Sequence, residues 1–114
     1  MVSIYHNPRC SKSRQALALL EDNGIKADII LYLETVPTAQ ELKDILKKLN
    51  ISAEQLLRKN EADYKTYMKG ITDEDELIAL MISYPKVIER PIVISGDKAV
   101  IGRPPEAVLD LLNQ

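Results

Sequence analysis

The first 33 residues constrain the fold most, because their pattern predicts a strand, a helix and a second strand. Residues 2–6 alternate and include β-branched and aromatic side chains, which is typical of a short strand. Residues 12–22 are rich in Ala and Leu, and Ser11 or Ser13 can cap the helix that they predict. Residues 26–33 end in a continuous apolar run, which predicts a strand buried on both faces of a sheet. This unit implies two parallel strands joined by a right-handed crossover, and therefore an α/β fold.

The middle half of the chain, from about residue 38 to residue 84, is predicted to be helical. Thr38-Ala39-Gln40-Glu41 matches a capping box and predicts a helix that continues to about Leu49. Ser52-Ala53-Glu54-Gln55 repeats this device and predicts a short helix. Residues 73–83 predict another helix with an acidic first turn, ended by Pro85.

The last quarter of the chain predicts a β-hairpin followed by a helix. Two apolar runs, residues 91–95 and 98–101, are separated by Gly96-Asp97, the spacing of a type II′ turn. Pro104 and Pro105 then precede a segment with an apolar stripe. The complete order predicts a thioredoxin-like fold in one domain, residues 1–114. Its central mixed four-stranded sheet would be built from β-α-β and β-hairpin-α, with a helical insertion at about 38–84.

Composition limits the classes of function. A chain of 114 residues with 46% hydrophobic and 28% charged residues fits one globular domain. A formal net charge of −2 argues against binding nucleic acid or an anionic membrane through bulk electrostatics. No apolar run approaches the roughly 20 residues needed to span a bilayer, so the expected location is the cytoplasm.

The single cysteine, Cys10, cannot form an internal disulfide, and it offers too few soft ligands for a structural zinc site. It could be a small buried hydrophobic residue, but its neighbours form a polar turn, which favours a reactive thiol. The sulfur would face N–H groups at the start of a helix, and such donors favour the thiolate. Ser13 stands where a dithiol oxidoreductase carries its second cysteine, so an outside thiol must resolve any adduct on Cys10.

The segment Ile4-Tyr5-His6-Asn7-Pro8-Arg9-Cys10-Ser11-Lys12-Ser13-Arg14 resembles the active-site segment of the arsenate reductases that depend on glutathione and glutaredoxin. Four further segments resemble the same family in the same order, so the likeness covers nearly the whole chain. They are Tyr32-Leu33-Glu34-Thr35, Leu56-Leu57-Arg58-Lys59-Asn60, Glu89-Arg90-Pro91-Ile92-Val93 and Gly102-Arg103-Pro104-Pro105-Glu106.

The resemblance implies a site and a set of partners. Cys10 would attack arsenate, His6 would assist the thiol, and the oxyanion would be held by Arg58, Arg90 and Arg103. Three guanidinium groups suit this task because arsenate and a thiolate are both negatively charged, and each planar fork can pair two oxygens. Ser13 and Arg14, beside the thiol in sequence, are predicted to support the thiolate.

The resemblance also implies a cis peptide bond at Arg90-Pro91, before the third strand. Glutathione would be the co-substrate and glutaredoxin the protein partner, with no bound cofactor and no metal.

Two other classes of function remain open from the sequence. Redox-sensing regulators that bind RNA polymerase share this fold, but many carry a Cys-x-x-Cys pair and lack the closing Arg-Pro-Pro segment. A monothiol oxidoreductase acting on glutathione adducts is the other alternative, although a neutral disulfide needs no triple cationic clamp. Taken singly, Arg58, Arg90 and Arg103 each have an ordinary structural explanation, and only the complete set favours the reductase.

Overall fold

The computed structural model describes residues 1–112, and the chain divides into two compact units. One unit comprises Met1–Thr35 and Arg90–Gln114, and the other comprises Val36–Glu89. In chain order the elements are β1 (Val2–Tyr5), α1 (Ser11–Asp22), β2 (Asp28–Ile30), α2 (Ala39–Leu49), α3 (Glu74–Ser83), β3 (Ile92–Ser95), β4 (Lys98–Ile101) and α4 (Ala107–Leu112).

The first unit contains a mixed sheet of four strands among the described residues, in the order β2-β1-β3-β4. Strand β1 pairs in parallel with β2 and antiparallel with β3, and β3 pairs antiparallel with β4. Gly96, in the turn between β3 and β4, has φ +62° while Asp97 keeps a negative φ, as a type II′ turn requires. The predicted α/β class, with its β-α-β and β-hairpin-α halves, is confirmed.

The prediction for β2 was wrong in length and burial. The strand covers only Asp28–Ile30, and Ile29 is 50% exposed. Because β2 pairs with β1 alone, it is an edge strand, whereas the apolar run suggested a strand covered on both faces. The apolar run extends past the end of the strand into a turn at residues 32–34, where Tyr32 is buried.

The start of α1 also differs from the sequence prediction. The helix begins at Ser11 with Cys10 as its N-cap, and neither Ser11 nor Ser13 acts as the cap. The predicted stop is present, since Gly24 has φ +75°, the left-handed region that favours glycine. Cys10 therefore lies at the boundary between the loop and the helix.

A buried cluster of apolar side chains joins the sheet to helices α1 and α4. Its members come from both ends of the chain and are Ile4, Ala16, Leu20, Val93, Val108 and Leu111. Burial of such side chains stabilises a fold by roughly 1.5–3 kcal/mol each. This cluster packs β1, β3, α1 and α4 against one another, and the loops next to these elements carry the residues of the candidate site.

Gly102, which follows β4, is a position of close packing. A Cβ atom at Gly102 would lie 2.8 Å from Cγ of Pro91 and 3.3 Å from Cγ1 of Val108. Gly102→Ala is therefore expected to lower the free energy of unfolding by about 1–3 kcal/mol through overpacking. Urea denaturation measures this change, and a loss below about 0.5 kcal/mol, the range of ordinary surface substitutions, would contradict the expected crowding.

The second unit is largely helical. Helix α2 has the predicted capping box, because the Thr38 side chain accepts from the Glu41 N–H and the Glu41 side chain accepts from the Thr38 N–H. Helix α3 has its cap at Asp73, whose side chain accepts from the Glu76 N–H. At Ser52 the box is half formed, since only Gln55 reaches back to the Ser52 N–H, and a 3₁₀ turn follows over Glu54–Leu56. A short π-helical segment covers Tyr64–Met68.

Among the described residues, none of the helices has the length and apolar character needed to cross a membrane.

Candidate active site

Cys10 lies at the N-cap of α1 with extended backbone angles, φ −95° and ψ 123°. Its position is fixed from both sides, because its N–H donates to the Asn7 carbonyl at 3.0 Å and its carbonyl accepts from the Arg14 N–H at 3.0 Å. The side chain of Asn7 also shapes the loop by accepting the Arg9 N–H at 3.0 Å. Cys10 as a whole residue is half-buried.

The partner of the sulfur is an arginine from the other end of the chain. Nη2 of Arg103 lies 3.4 Å from Sγ of Cys10. Nε of Arg103 donates to the backbone carbonyl of Arg90 at 2.7 Å. These two contacts hold the guanidinium of Arg103, and therefore a positive charge, beside the sulfur of Cys10.

This geometry differs in one respect from the sequence argument, which expected the first N–H groups of α1 to face the sulfur. The structure records no hydrogen bond from these groups to the side chain of Cys10. The helix dipole still favours a negative charge at this end of α1. The direct contact to the sulfur within residues 1–112 comes from Arg103.

Arg90 contributes to the site through its backbone and its place in the loop before β3. The Arg90-Pro91 peptide bond is cis, as the resemblance implied, and a second cis bond occurs at Arg103-Pro104. The carbonyl of Pro91 accepts the Gly102 N–H at 2.9 Å, which ties this loop to the end of β4. Together with the bond from Arg103 Nε to the Arg90 carbonyl, this contact holds Arg90 and Arg103 next to each other.

His6 and Ser13 form a buried pair beneath the cysteine loop. Nδ1 of His6 lies 2.6 Å from Oγ of Ser13, and the same Oγ accepts the Asn7 N–H at 3.1 Å. His6 is 6% exposed and Ser13 is completely buried. Within the described residues, Ser13 has no hydrogen bond to Cys10, so any support that it gives the thiolate passes through its neighbours.

The environment of the sulfur is cationic. The first twenty residues carry no carboxylate side chain, whereas Arg9, Lys12 and Arg14 are exposed there. Arg14 donates from Nη1 to the Pro8 carbonyl at 3.0 Å, which keeps its guanidinium against the loop. Such a field favours the approach of an anion.

Burial lowers the pKa of His6 below its usual value of 6.5, and the positive charge of Arg14 lowers it further. The unfolded chain therefore takes up this proton at a higher pH than the folded chain does. As the pH falls from 6.5 through the pKa of the folded state, protons bind preferentially to the unfolded chain. His6 consequently makes the fold less stable as the pH falls through this range.

We expect this effect in the pH dependence of the free energy of unfolding. The wild type should lose stability relative to His6→Asn between pH 7.5 and pH 5, because Asn has no proton to bind in this range. Urea denaturation at each pH measures the difference between the two proteins. A difference that stays constant with pH, or that grows in favour of the wild type as the pH falls, would contradict the prediction.

Arg58 belongs to the second unit, where it is paired with two carboxylates. Its Nη1 lies 2.8 Å from Oε1 of Glu61, and its Nε lies 3.4 Å from Oε1 of Glu89. Its own N–H donates to the Val87 carbonyl at 2.7 Å. The assignment of Arg58 to oxyanion binding stays a prediction.

No group of three or more His, Cys, Asp and Glu side chains within residues 1–112 is arranged to hold a metal ion.

Comparison with known proteins identifies the family. The model of the ArsC family matches residues 5–111, and the chain belongs to this family. It is 49% identical over 114 residues to the arsenate reductase of Haemophilus influenzae, covering 97% of this chain and 98% of that one. It is also 49% identical to the uncharacterized protein YfgD of Escherichia coli K12, with 97% and 96% covered.

Solved structures agree with this assignment. The arsenate reductase from Vibrio cholerae superposes with a TM-score of 0.91 at 46% identity, covering 96% of this chain and 95% of that one. The predicted family and the thioredoxin-like fold class are both confirmed.

Two contacts of the site could not be read from the sequence. The bond between Arg103 Nε and the Arg90 carbonyl joins the loop before β3 to the loop after β4. These two loops lie side by side only because β3 pairs with β4. The contact of His6 with Ser13 joins the end of β1 to the first turn of α1. Their separation of seven residues across a loop has no periodic pattern that would indicate a contact.

Proposed function

We propose that this chain is a thiol-dependent oxyanion reductase that reduces arsenate to arsenite in the cytoplasm. Cys10 is the nucleophile, and glutathione and glutaredoxin supply the electrons. The observation that carries the proposal is the 3.4 Å contact between Cys10 Sγ and Arg103 Nη2 at the start of α1. Relatives named arsenate reductase, at 40% to 49% identity over most of the chain, support the choice of substrate.

The charges at the site explain why an oxyanion is the substrate. Arsenate is an anion near neutral pH, and a thiolate repels it unless cationic groups lie between them. Arg103 already lies beside the sulfur, and Arg90 follows in the adjacent loop. A guanidinium stays protonated and can pair two oxygens, so it neutralises substrate and nucleophile together.

The chemistry balances with two thiols. The sulfur of Cys10 forms a bond to arsenic, and one arsenate oxygen leaves as water after it has gained two protons. Arsenic then accepts two electrons, passing from As(V) to As(III), while two sulfurs lose these electrons and form a disulfide. Because the chain has a single cysteine, the second sulfur comes from glutathione, and glutaredoxin returns the resulting disulfide to thiols.

The remaining residues have supporting roles in this proposal. His6 lies beneath the cysteine loop, and Ser13 holds its ring. Arg14 adds positive charge to the loop without touching the sulfur among the described residues. Arg58 is assigned to the oxyanion by family resemblance.

The test is a reconstituted assay with purified protein, glutathione, glutaredoxin and arsenate. We expect glutathione to be oxidised only when arsenate is present, with one arsenite formed for each disulfide. Omitting the protein, and replacing arsenate with sulfate, are the controls. Absence of turnover together with activity on a glutathionylated peptide would favour a monothiol oxidoreductase, and stable capture of RNA polymerase without turnover would favour a regulator.

A further inference from the structure

The direction in which the Ser13 hydroxyl donates its hydrogen bears on which nitrogen of the His6 ring carries a proton. The Asn7 N–H can only donate, so Oγ of Ser13 accepts in that contact at 3.1 Å. The second contact of Oγ is with His6 Nδ1 at 2.6 Å, and the Ser13 hydroxyl has no other hydrogen bond within residues 1–112. Because Ser13 is completely buried, water cannot take the place of a missing acceptor.

Two arrangements of hydrogens are compatible with these distances. In the first, the Ser13 hydroxyl donates to Nδ1, and every polar group of the pair is satisfied. In the second, Nδ1 carries a proton and donates to Oγ, which then accepts twice and leaves its own hydrogen without an acceptor in the interior. The second arrangement loses a buried hydrogen bond, so the first is the stable one.

We propose that Ser13 is a positioning residue that holds the imidazole of His6 as the neutral form protonated at Nε2. A cationic ring would need protons on both nitrogens, which forces the second arrangement. The lowered pKa of His6 agrees with this conclusion, since burial and Arg14 also disfavour the cation. Nε2 has no hydrogen-bond partner among the described residues, so its N–H can donate to a substrate or to water.

The consequence for the reaction rests on the proposed function. His6 would assist the site as a neutral hydrogen-bond donor, and the positive charge next to the anion would come from the arginines. Ser13 would therefore act through His6 and not directly on the sulfur. Loss of the Ser13 hydroxyl should therefore change the tautomer of His6, which a simple packing defect would not do.

The test is ¹⁵N NMR of the ring nitrogens at pH 7.5 without arsenate. His6 is the single histidine of the chain, so its two ring nitrogens give the complete histidine spectrum. In the wild type we expect the Nδ1 resonance at the position of an unprotonated nitrogen and the Nε2 resonance at that of a protonated one. In Ser13→Ala the two resonances should move toward each other, because Nδ1 has lost its donor and the second tautomer becomes populated.

Two further variants complete the design. Ser11→Ala removes an exposed hydroxyl two residues away on the same helix and should leave the ring nitrogens unchanged. Ser13→Thr keeps the hydroxyl and should restore the wild-type shifts. In the reductase assay, Ser13→Ala should lower kcat by roughly 10–100-fold, the size of effect seen when the partner that orients a metal-binding histidine is removed.

A protonated Nδ1 in the wild type would overturn the proposal. This result needs no variant, so the test holds even if Ser13→Ala or Ser13→Thr fails to fold. A tautomer unchanged by Ser13→Ala would overturn it as well. Because the spectra need no arsenate, they decide the role of Ser13 even if the chain proves inactive on that substrate.

Discussion

Cys10→Ser is expected to reduce arsenate turnover by at least about 10³-fold. A serine hydroxyl is not ionised near neutral pH and cannot form the sulfur–arsenic bond on which the cycle depends. The substitution changes one atom at a half-buried N-cap, where serine is a favoured residue, so the fold should keep its stability. Arsenite production in the reconstituted assay measures the loss, and urea denaturation confirms the fold.

The chain offers a matched control for the position of the thiol. The double variant Cys10→Ser/Ser11→Cys keeps one cysteine but moves it one residue along α1, away from the N-cap. We expect no recovery of activity, because the site needs the sulfur beside Arg103 and not merely a thiol at this helix end. Full turnover by Cys10→Ser would disprove the role of Cys10 as the nucleophile. Full recovery in the double variant would disprove the requirement for the sulfur at position 10 beside Arg103.

Arg103→Ala is expected to lower kcat/KM for arsenate by about 10²-fold or more, the usual effect of losing a donor that stabilises developing negative charge. The variant removes both the contact with Cys10 Sγ and the bond to the Arg90 carbonyl. Arg103→Lys should recover only part of the loss. Its single ammonium keeps the charge but cannot reach the carbonyl and the sulfur with the fixed geometry of a guanidinium.

Arg9→Ala is the control for net charge in this experiment. Arg9 is exposed on the same loop, and its side chain makes no hydrogen bond or ion pair with another described residue, so the change removes one positive charge and leaves the contact of Arg103 with the sulfur in place. We expect less than a threefold effect on kcat/KM, about 0.6 kcal/mol or less. Equal losses in Arg9→Ala and Arg103→Ala would show that the total charge matters and the geometry does not.

Local signals account for the parts of the fold that the sequence predicted well. The capping box at Thr38, the acidic first turn of α3 and the turn at Gly96 each depend on residues within a few positions of one another. Strand β2 was predicted less well, because an apolar run does not reveal whether the strand has one neighbour or two. Its edge position follows from the pairing of β1 with β3, which joins residues about ninety positions apart.

The candidate site was predictable only in part for the same reason. The polar turn around Cys10 indicated a reactive thiol by itself, while Arg103 entered through the resemblance to a family. No spacing rule connects residues 10 and 103. Their contact exists because β1, β3 and β4 bring the cysteine loop and the loop after β4 to the same place.

The distance along the chain between Cys10 and Arg103 also matters during synthesis on the ribosome. Cys10 and Arg103 are 93 residues apart in sequence, so the sulfur is synthesised well before its guanidinium partner. The contact can form only after β3 and β4 have joined β1. In a nascent or truncated chain, the thiol of Cys10 therefore lacks the guanidinium of Arg103. Formation of the contact between Cys10 and Arg103 thus reports that synthesis has passed residue 103 and that the sheet has closed.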